Sequence, residues 1–412
     1  MNGADSVFVF ICTALVFIMT PALALFYGGM VRSKNVLSTS MHSYALIAIV
    51  SVQWVVVGYS FAFGDNLGGI IGGFQHALMN GVGFDPNPIY SAGIPHNLFF
   101  MFQLMFAIIT PALISGAFAE RIKFSSFLVF ITAWIFLVYD PIAHWVWGDG
   151  GWLRTLGALD FAGGNVVHIS SGVTGLVAAI VLGKRKNRSA ARPHNIPFSI
   201  LGVGLLIVGW YGFNAGSALG LNAGAMTAFI TTNTAAACGM IGWVAFEWIK
   251  TKKPTALGAV SGAVAGLVAI TPGAGFVTVP GSMAIGLIGG IICYFAVSVM
   301  KKKFGYDDAL DAFGVHGVGG TVGGLLVGFF AIVSNETLTP KGSEGFFYGG
   351  GFSLLGKQAI AIVATYLLAG VVSFILLKVI DKVMGLRSSE EAEAIGLDVA
   401  DHGEEAYGGM AV

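Results

Sequence analysis

The chain has 412 residues, 56% of them hydrophobic and 10% charged, with 60 glycines and a formal net charge of zero. A mean hydropathy of +0.81 excludes a soluble domain with a polar surface, and a balanced charge gives no basic surplus for nucleic acid. The composition predicts an all-α polytopic membrane protein whose glycines let helices approach closely in lipid.

Apolar runs of about 20 residues, the length that crosses the hydrocarbon, predict eleven transmembrane helices at 6–29, 40–63, 98–119, 124–143, 163–183, 196–217, 224–249, 256–274, 281–299, 313–333 and 358–380. The first run is too long for the core of a signal peptide and is read as a true span. The stretch 64–97 is rich in Gly, Pro and Asn and lacks Lys and Arg, which fits an external loop. Cys12, Cys238 and Cys293 fall within apolar spans without metal-ligand spacing, so they are read as packing residues, with no disulfide framework, metal or cofactor expected.

With the N-terminus outside and the C-terminus inside, eighteen of the twenty-one Lys and Arg are cytoplasmic, Arg188 among them, and only Arg154, Lys341 and Lys357 are external. That bias is what the positive-inside rule requires. The chain therefore divides into a transmembrane domain, 1–383, and a cytoplasmic tail, 384–412.

Two strings repeat within the membrane domain. Asp160, His168, Gly172 and Gly175 share their spacing with Asp308, His316, Gly320 and Gly323, and Ala107 to Pro111 parallels Val268 to Pro272. Both matches are offset by five spans, an odd number, so the halves (about 6–183 and 196–333) run through the bilayer in opposite senses: an inverted 5+5 repeat plus an eleventh helix at 358–380.

An ionisable side chain in hydrocarbon normally marks a substrate or proton path, and His168 and His316 are such a pair. On a helix each histidine shares a face with its two glycines. Two apposed neutral imidazoles offer donors and acceptors to a small polar solute, and deprotonating a cation at the mouth avoids carrying its charge through. The plainer alternative is that each ring satisfies a backbone carbonyl in a packed core. Trp147, Phe102, Phe106 and Phe213 lie where outer span ends converge, and read either as cation-binding ring faces or as belt and core residues. Asp160 suits a helix N-terminus as a structural cap. Asp308 and Asp311 read as charge partners of Lys301 to Lys303, and His42 as a satisfied core residue. Pro111 and Pro272 are expected to bend their helices.

Six segments in order, TPALALFYGGMVRSKN (20–35), FQLMFAIITPALISGAFAERIKF (102–124), LDFAGGNVVH (159–168), WYGFNAGS (210–217), DAFGVHG (311–317) and the tail from Gly385 to Tyr407, resemble the ammonium transporter family (the Amt, Mep and Rh proteins), in its bacterial and archaeal Amt form. The resemblance implies that His168 and His316 are the twin pore histidines, Phe106 and Phe213 the stacked gate, and Trp147, Phe102, Phe106 and Ser217 the outer recruitment site. Asp160 matches the family's buried carboxylate near that mouth. It also implies a plasma-membrane homotrimer that carries ammonium or methylammonium, is not an enzyme, and responds to a PII-type regulator through its tail. In that tail seven acidic residues stand against one basic residue, Arg387, and together with the Ser388 to Glu391 spacing they predict a short acidic helix. Two other readings are an ammonium-sensing receptor coupled through the tail, and an intramembrane metalloenzyme, for which further ligands and a general base are wanting.

Overall fold

The computed structural model describes residues 1–186, 192–332 and 343–407. Arg188, Lys341 and the end of the predicted tenth span lie outside the described residues, as do positions 408–412. Ten described helices are long and apolar enough to cross a membrane: α1 Gly3–Met30, α2 Ser33–Phe63, α3 His96–Phe118, α4 Phe124–Leu156, α5 Gly164–Leu182, α6 Ile196–Gly216, α7 Ala223–Thr251, α9 Val279–Phe304, α10 Phe313–Phe330 and α11 Ser353–Met384. Short tail helices follow, α12 Glu390–Ile395 and α13 Leu397–His402.

The predicted eighth span, 256–274, is shorter than expected. Helix α8, Ala256–Ile270, has 15 residues, below the length that crosses the hydrocarbon. Pro272 supplies no N–H to continue the helix, and residues 271–276 turn instead. The polar groups freed by the break are taken up by neighbours, since Phe161 N donates to Pro272 O at 3.0 Å and Thr231 Oγ1 to Ala274 O at 2.7 Å. Irregular backbone at membrane depth survives only with such partners. Pro111, by contrast, lies inside α3.

Close backbone approach explains the glycine content. A Cβ on Gly290 of α9 would stand 2.2 Å from Gly239 O of α7, so only glycine permits that crossing. Polar pins join other helices across the apolar core. Gln358 of α11 accepts from Leu159 N at 2.7 Å and donates to Leu159 O and Gly324 O.

Basic and acidic residues gather at one end of the bundle. Glu120 accepts from Arg32 Nε at 3.0 Å, Asn35 Nδ2 at 3.1 Å and Arg185 Nη1 at 3.2 Å, and Arg185 also grips Asp307 at 3.0 Å. The tail docks on this end: Arg387 pairs with Glu393, Leu397 N donates to Asn35 Oδ1, and Ser38 N donates to Asp398 Oδ1. Helix α12 is capped by Ser389, whose Oγ accepts from Ala392 N at 3.2 Å, rather than by Ser388 as the spacing suggested. Ser388 N is instead spent on Arg121 O.

Burial alone would raise the Glu120 carboxyl, but hydrogen bonds and charge from Arg32 and Arg185 hold it below its ordinary value of 4.5. Asp307 is likewise held below 3.8 against its burial, chiefly by Arg185. A carboxyl depressed in the fold stabilises it above the unfolded pKa and loses that contribution as pH falls through the folded value. Unfolding in detergent should therefore become easier as pH drops below about 4.5. Glu120→Gln, which leaves two guanidinium groups short of a partner, should cost about 3 kcal/mol at neutral pH and flatten that acid limb. Thermal melts of both proteins across pH test this; equal acid limbs would show that Glu120 contributes no linkage.

His42 departs from the sequence reading. It is buried among Phe118, Phe124 and Phe127, with ring centroids 4.3 to 6.0 Å away, and among the described residues neither ring nitrogen has a hydrogen-bond partner. It is a core residue held by aromatic packing, not a satisfied polar one.

Candidate functional site

The two repeated motifs meet at the centre of the bundle. Helices α5 and α10 each begin with a π turn, Gly164–Ile169 and Phe313–Gly317, and each π turn carries the motif's histidine. Such bulges insert one residue and re-aim the side chains around it. The motif's aspartate anchors each turn. Asp160 accepts from the amides of Gly163, Gly164, Asn165 and Val166 at 2.6 to 3.4 Å, and Asp308 from those of Ala312 and Phe313 at 3.0 and 2.8 Å. Asp308 is thus a cap, not chiefly a lysine partner; Lys301 pairs with Asp311 beside it. Burial first, then the charge of Asp311, pushes the Asp308 carboxyl up to about 6.

His168 Nδ1 lies 3.3 Å from His316 Nδ1, and both rings are buried, at 1% and 4% exposure. Two cationic rings would turn donor against donor, so one Nδ1 carries the hydrogen and the other accepts it. Tautomer bookkeeping then leaves one Nε2 as an acceptor and the other as a donor. A small solute that can both give and take a hydrogen bond matches that pair.

An aromatic stack leads to the histidines. Trp210 stacks on His168 with centroids 5.4 Å apart, and Phe213 lies near-parallel to the same ring at 6.2 Å. Phe213 and Phe106 stand 4.2 Å apart, with Trp147 edge-on to Phe106 at 5.8 Å. Beyond them a vestibule of about 750 Å³ opens, lined by Phe106, Trp147, Asp160, Ser217 and Gln103 among others. Below the stack the lumen beside His168, His316, Trp210 and Phe213 has about 10 Å³ for the centre of a water-sized sphere, which is room for one such molecule.

The predicted site residues therefore converge, with one difference in placement. Phe102 is fully buried behind Phe106, centroids 5.0 Å apart, and is absent from the vestibule wall. Ser217 Oγ donates to Phe213 O at 2.8 Å, so its lone pairs remain to accept from a cation. Trp147 Nε1 donates to Asp160 O at 2.9 Å, tying the mouth to the cap. Trp210, which sequence reasoning assigned no role, positions His168 and is itself fixed by Nε1 donating to Thr271 Oγ1 at 2.9 Å. Its spacing of three from Phe213, one helical face, was the available signal. Asp140, a carboxyl in the middle of α4, was also passed over; an Asp-Pro inside an apolar run was its signal. Among the described residues no group of three or more His, Cys, Asp or Glu could hold a metal ion.

The Asp160 cap gives a graded prediction. Asp160→Ala leaves four buried amides without their acceptor, at about 1 to 3 kcal/mol each when unsatisfied, and should give little folded protein. Asp160→Asn keeps one carbonyl oxygen and should melt between alanine and wild type. Wild-type melting of Asp160→Asn with loss of uptake would instead make the carboxylate a direct ligand of the solute.

The chain matches the profile of the Ammonium Transporter Family over residues 7–407. It is 60% identical over 407 residues to an ammonium transporter of Bacillus subtilis, covering 99% of each chain. Among solved structures it resembles Mep2 of Candida albicans (TM-score 0.87, 36% identity, 99% of this chain and 91% of that one). A chain described as a sensor Amt protein is also similar, with TM-score 0.88 and 31% identity over 97% of this chain and 98% of the other.

Proposed function

Since the chain belongs to the ammonium transporter family, a family of multi-pass membrane transporters and not of enzymes, we propose that it binds ammonium in the vestibule, where the ion gives up its proton to solvent water, and conducts ammonia past the histidine pair. The observation that carries this reading is the joined His168 and His316 at the end of the aromatic stack.

Ammonium in the vestibule meets the ring faces of Phe106 and Trp147 and the free lone pairs of Ser217, which together replace part of its hydration. The Phe106 and Phe213 rings close the way at 4.2 Å, and a bare cation pays a large desolvation cost beyond them. Neutral ammonia does not. It can donate to the acceptor Nε2 and accept from the donor Nε2 in turn. Phe102 contributes by backing Phe106. Assembly as a homotrimer and regulation by a PII-type protein at the docked tail belong to the same proposal, and the exposed apolar residues of α1, such as Phe10 at 68%, suit a lipid or subunit face.

The test is flux and current across vesicles containing the purified protein under an ammonium gradient. Ammonium and methylammonium should pass while potassium does not; silent flux means that ammonia crosses alone, and current that its proton follows separately. A potassium current as large as that of ammonium would overturn the reading. The similarity to the sensor Amt protein keeps one alternative in view, a receptor, for which ligand binding without flux would be the result.

A further inference from the structure

Asp140 lies in α4 within the membrane-spanning part of the chain, has no exposed surface and makes no ion pair among the described residues. Among the described residues its one side-chain hydrogen-bond partner is Gln53 of α2, whose Nε2 donates to Asp140 Oδ2 at 3.1 Å. Both residues sit at comparable heights, since each follows the start of a helix running from the basic end by a similar number of residues. Each also borders a π turn, Trp54–Gly58 after Gln53 and Ile135–Tyr139 before Asp140. Two bulges on two helices thus aim a carboxyl and a carboxamide at each other.

The hydrogen-bond count does not close for a carboxylate. Asp140 Oδ1 and Gln53 Oε1 are both buried and both lack a hydrogen-bond partner among the described residues, and neither can donate to the other. Turning the amide over does not help, because Oε1 would then face Oδ2, acceptor against acceptor. One hydrogen on the carboxyl resolves either arrangement: the acid O–H donates to Gln53 Oε1 while Gln53 Nε2 donates back. Among the described residues no basic side chain is hydrogen-bonded to Asp140. His144, one turn along α4, turns its ring nitrogens to Ala62 O and Asn66 Oδ1 at 3.1 and 3.0 Å and not to the carboxyl, and the neighbouring Tyr139 and Trp54 carry no positive charge. An unpaired carboxylate at this depth would be costly.

We infer that Asp140 and Gln53 form a proton-binding site within the membrane, separate from the pore, in which Asp140 is held as the neutral acid in a cyclic pair with the glutamine amide. The ligand is a proton. Neither residue lines the vestibule or the lumen, so the site holds its proton rather than passing one to the solute, and α4 carries Trp147 to the mouth without an uncompensated charge along its length.

Infrared difference spectra of the full chain in vesicles, wild type against Asp140→Asn, test this. The asparagine amide can make the same two hydrogen bonds, so the variant should keep its melting temperature and transport within about twofold of wild type. The difference spectrum should lose an acid carbonyl band, sensitive to D₂O, and no carboxylate bands. Loss of carboxylate bands would overturn the inference. So would stabilisation of the wild type by sodium or potassium chloride over choline chloride that Asp140→Asn abolishes, which would make the oxygen pair a metal-cation site. Should the variant not assemble, wild type labelled with carboxyl-¹³C aspartate decides at about pH 9, where ordinary carboxyls are ionised: a surviving acid band is expected, and its absence overturns the inference.

Discussion

His168→Ala is expected to cut uptake of labelled methylammonium into vesicles by about fivefold to 150-fold while leaving the protein folded. The lost ring takes with it one of two hydrogen-bond partners that a neutral solute finds below the aromatic gate, a loss of about 1 to 3 kcal/mol. At about 1.4 kcal/mol per tenfold in rate, that range gives the expected decrease. The same change leaves His316 Nδ1 without the partner it has at 3.3 Å and removes the surface on which Trp210 stacks, so selectivity should degrade along with rate. Unchanged gel-filtration behaviour and melting would separate the pore effect from misfolding. Wild-type rate and selectivity in this variant would strip the histidine pair of its assigned role.

The second large effect comes from a position with no polar atom in its side chain. In Gly172→Ala the new Cβ would stand 2.1 Å from Gly317 N and 2.4 Å from Gly317 Cα. Both are backbone atoms of the facing π turn, so no side chain can swing aside. Helices α5 and α10 must separate by roughly 1 Å, and overpacking of this kind costs about 1 to 3 kcal/mol or more. Because His168 and His316 ride on those helices at the limit of a hydrogen bond, the separation also breaks their contact. The expected result is a lower melting temperature together with an uptake loss as large as that of His168→Ala. Gly204→Ala on α6, where a Cβ meets nothing within 4 Å, is the control and should match wild type. Equal behaviour of the two alanine variants would mean that the crossing is looser than its geometry implies.

These two positions also show what a linear reading could reach. His168, His316 and their glycines were legible because the motif occurs twice, and duplication turns a local oddity into a relation between two places. The capping role of Asp160 followed from its place ahead of an apolar run. Asp308 was misread because Lys301 to Lys303 stand close by in the chain and suggested pairing, whereas the backbone amides of Ala312 and Phe313 take up its two carboxyl oxygens. His42 was legible as a core residue but not as one without hydrogen bonds, since three phenylalanines from two other helices determine its surroundings. Span eight was drawn through Pro272 because hydropathy counts apolar residues and is blind to a missing N–H.

The sequence by itself determined that this chain crosses a membrane repeatedly, that one histidine motif occurs in it twice, and which histidines and aromatics to examine, because transfer from water to lipid is nearly additive over residues and so survives in a one-dimensional count. Tertiary structure alone decided which atoms meet: that the imidazoles join through Nδ1, that Phe102 stands behind the gate, that Trp210 backs His168, and that Asp140 meets Gln53. Those facts depend on helix crossings set by backbone contact at glycines such as Gly172 and by π turns that rotate a side chain away from the face its spacing predicts.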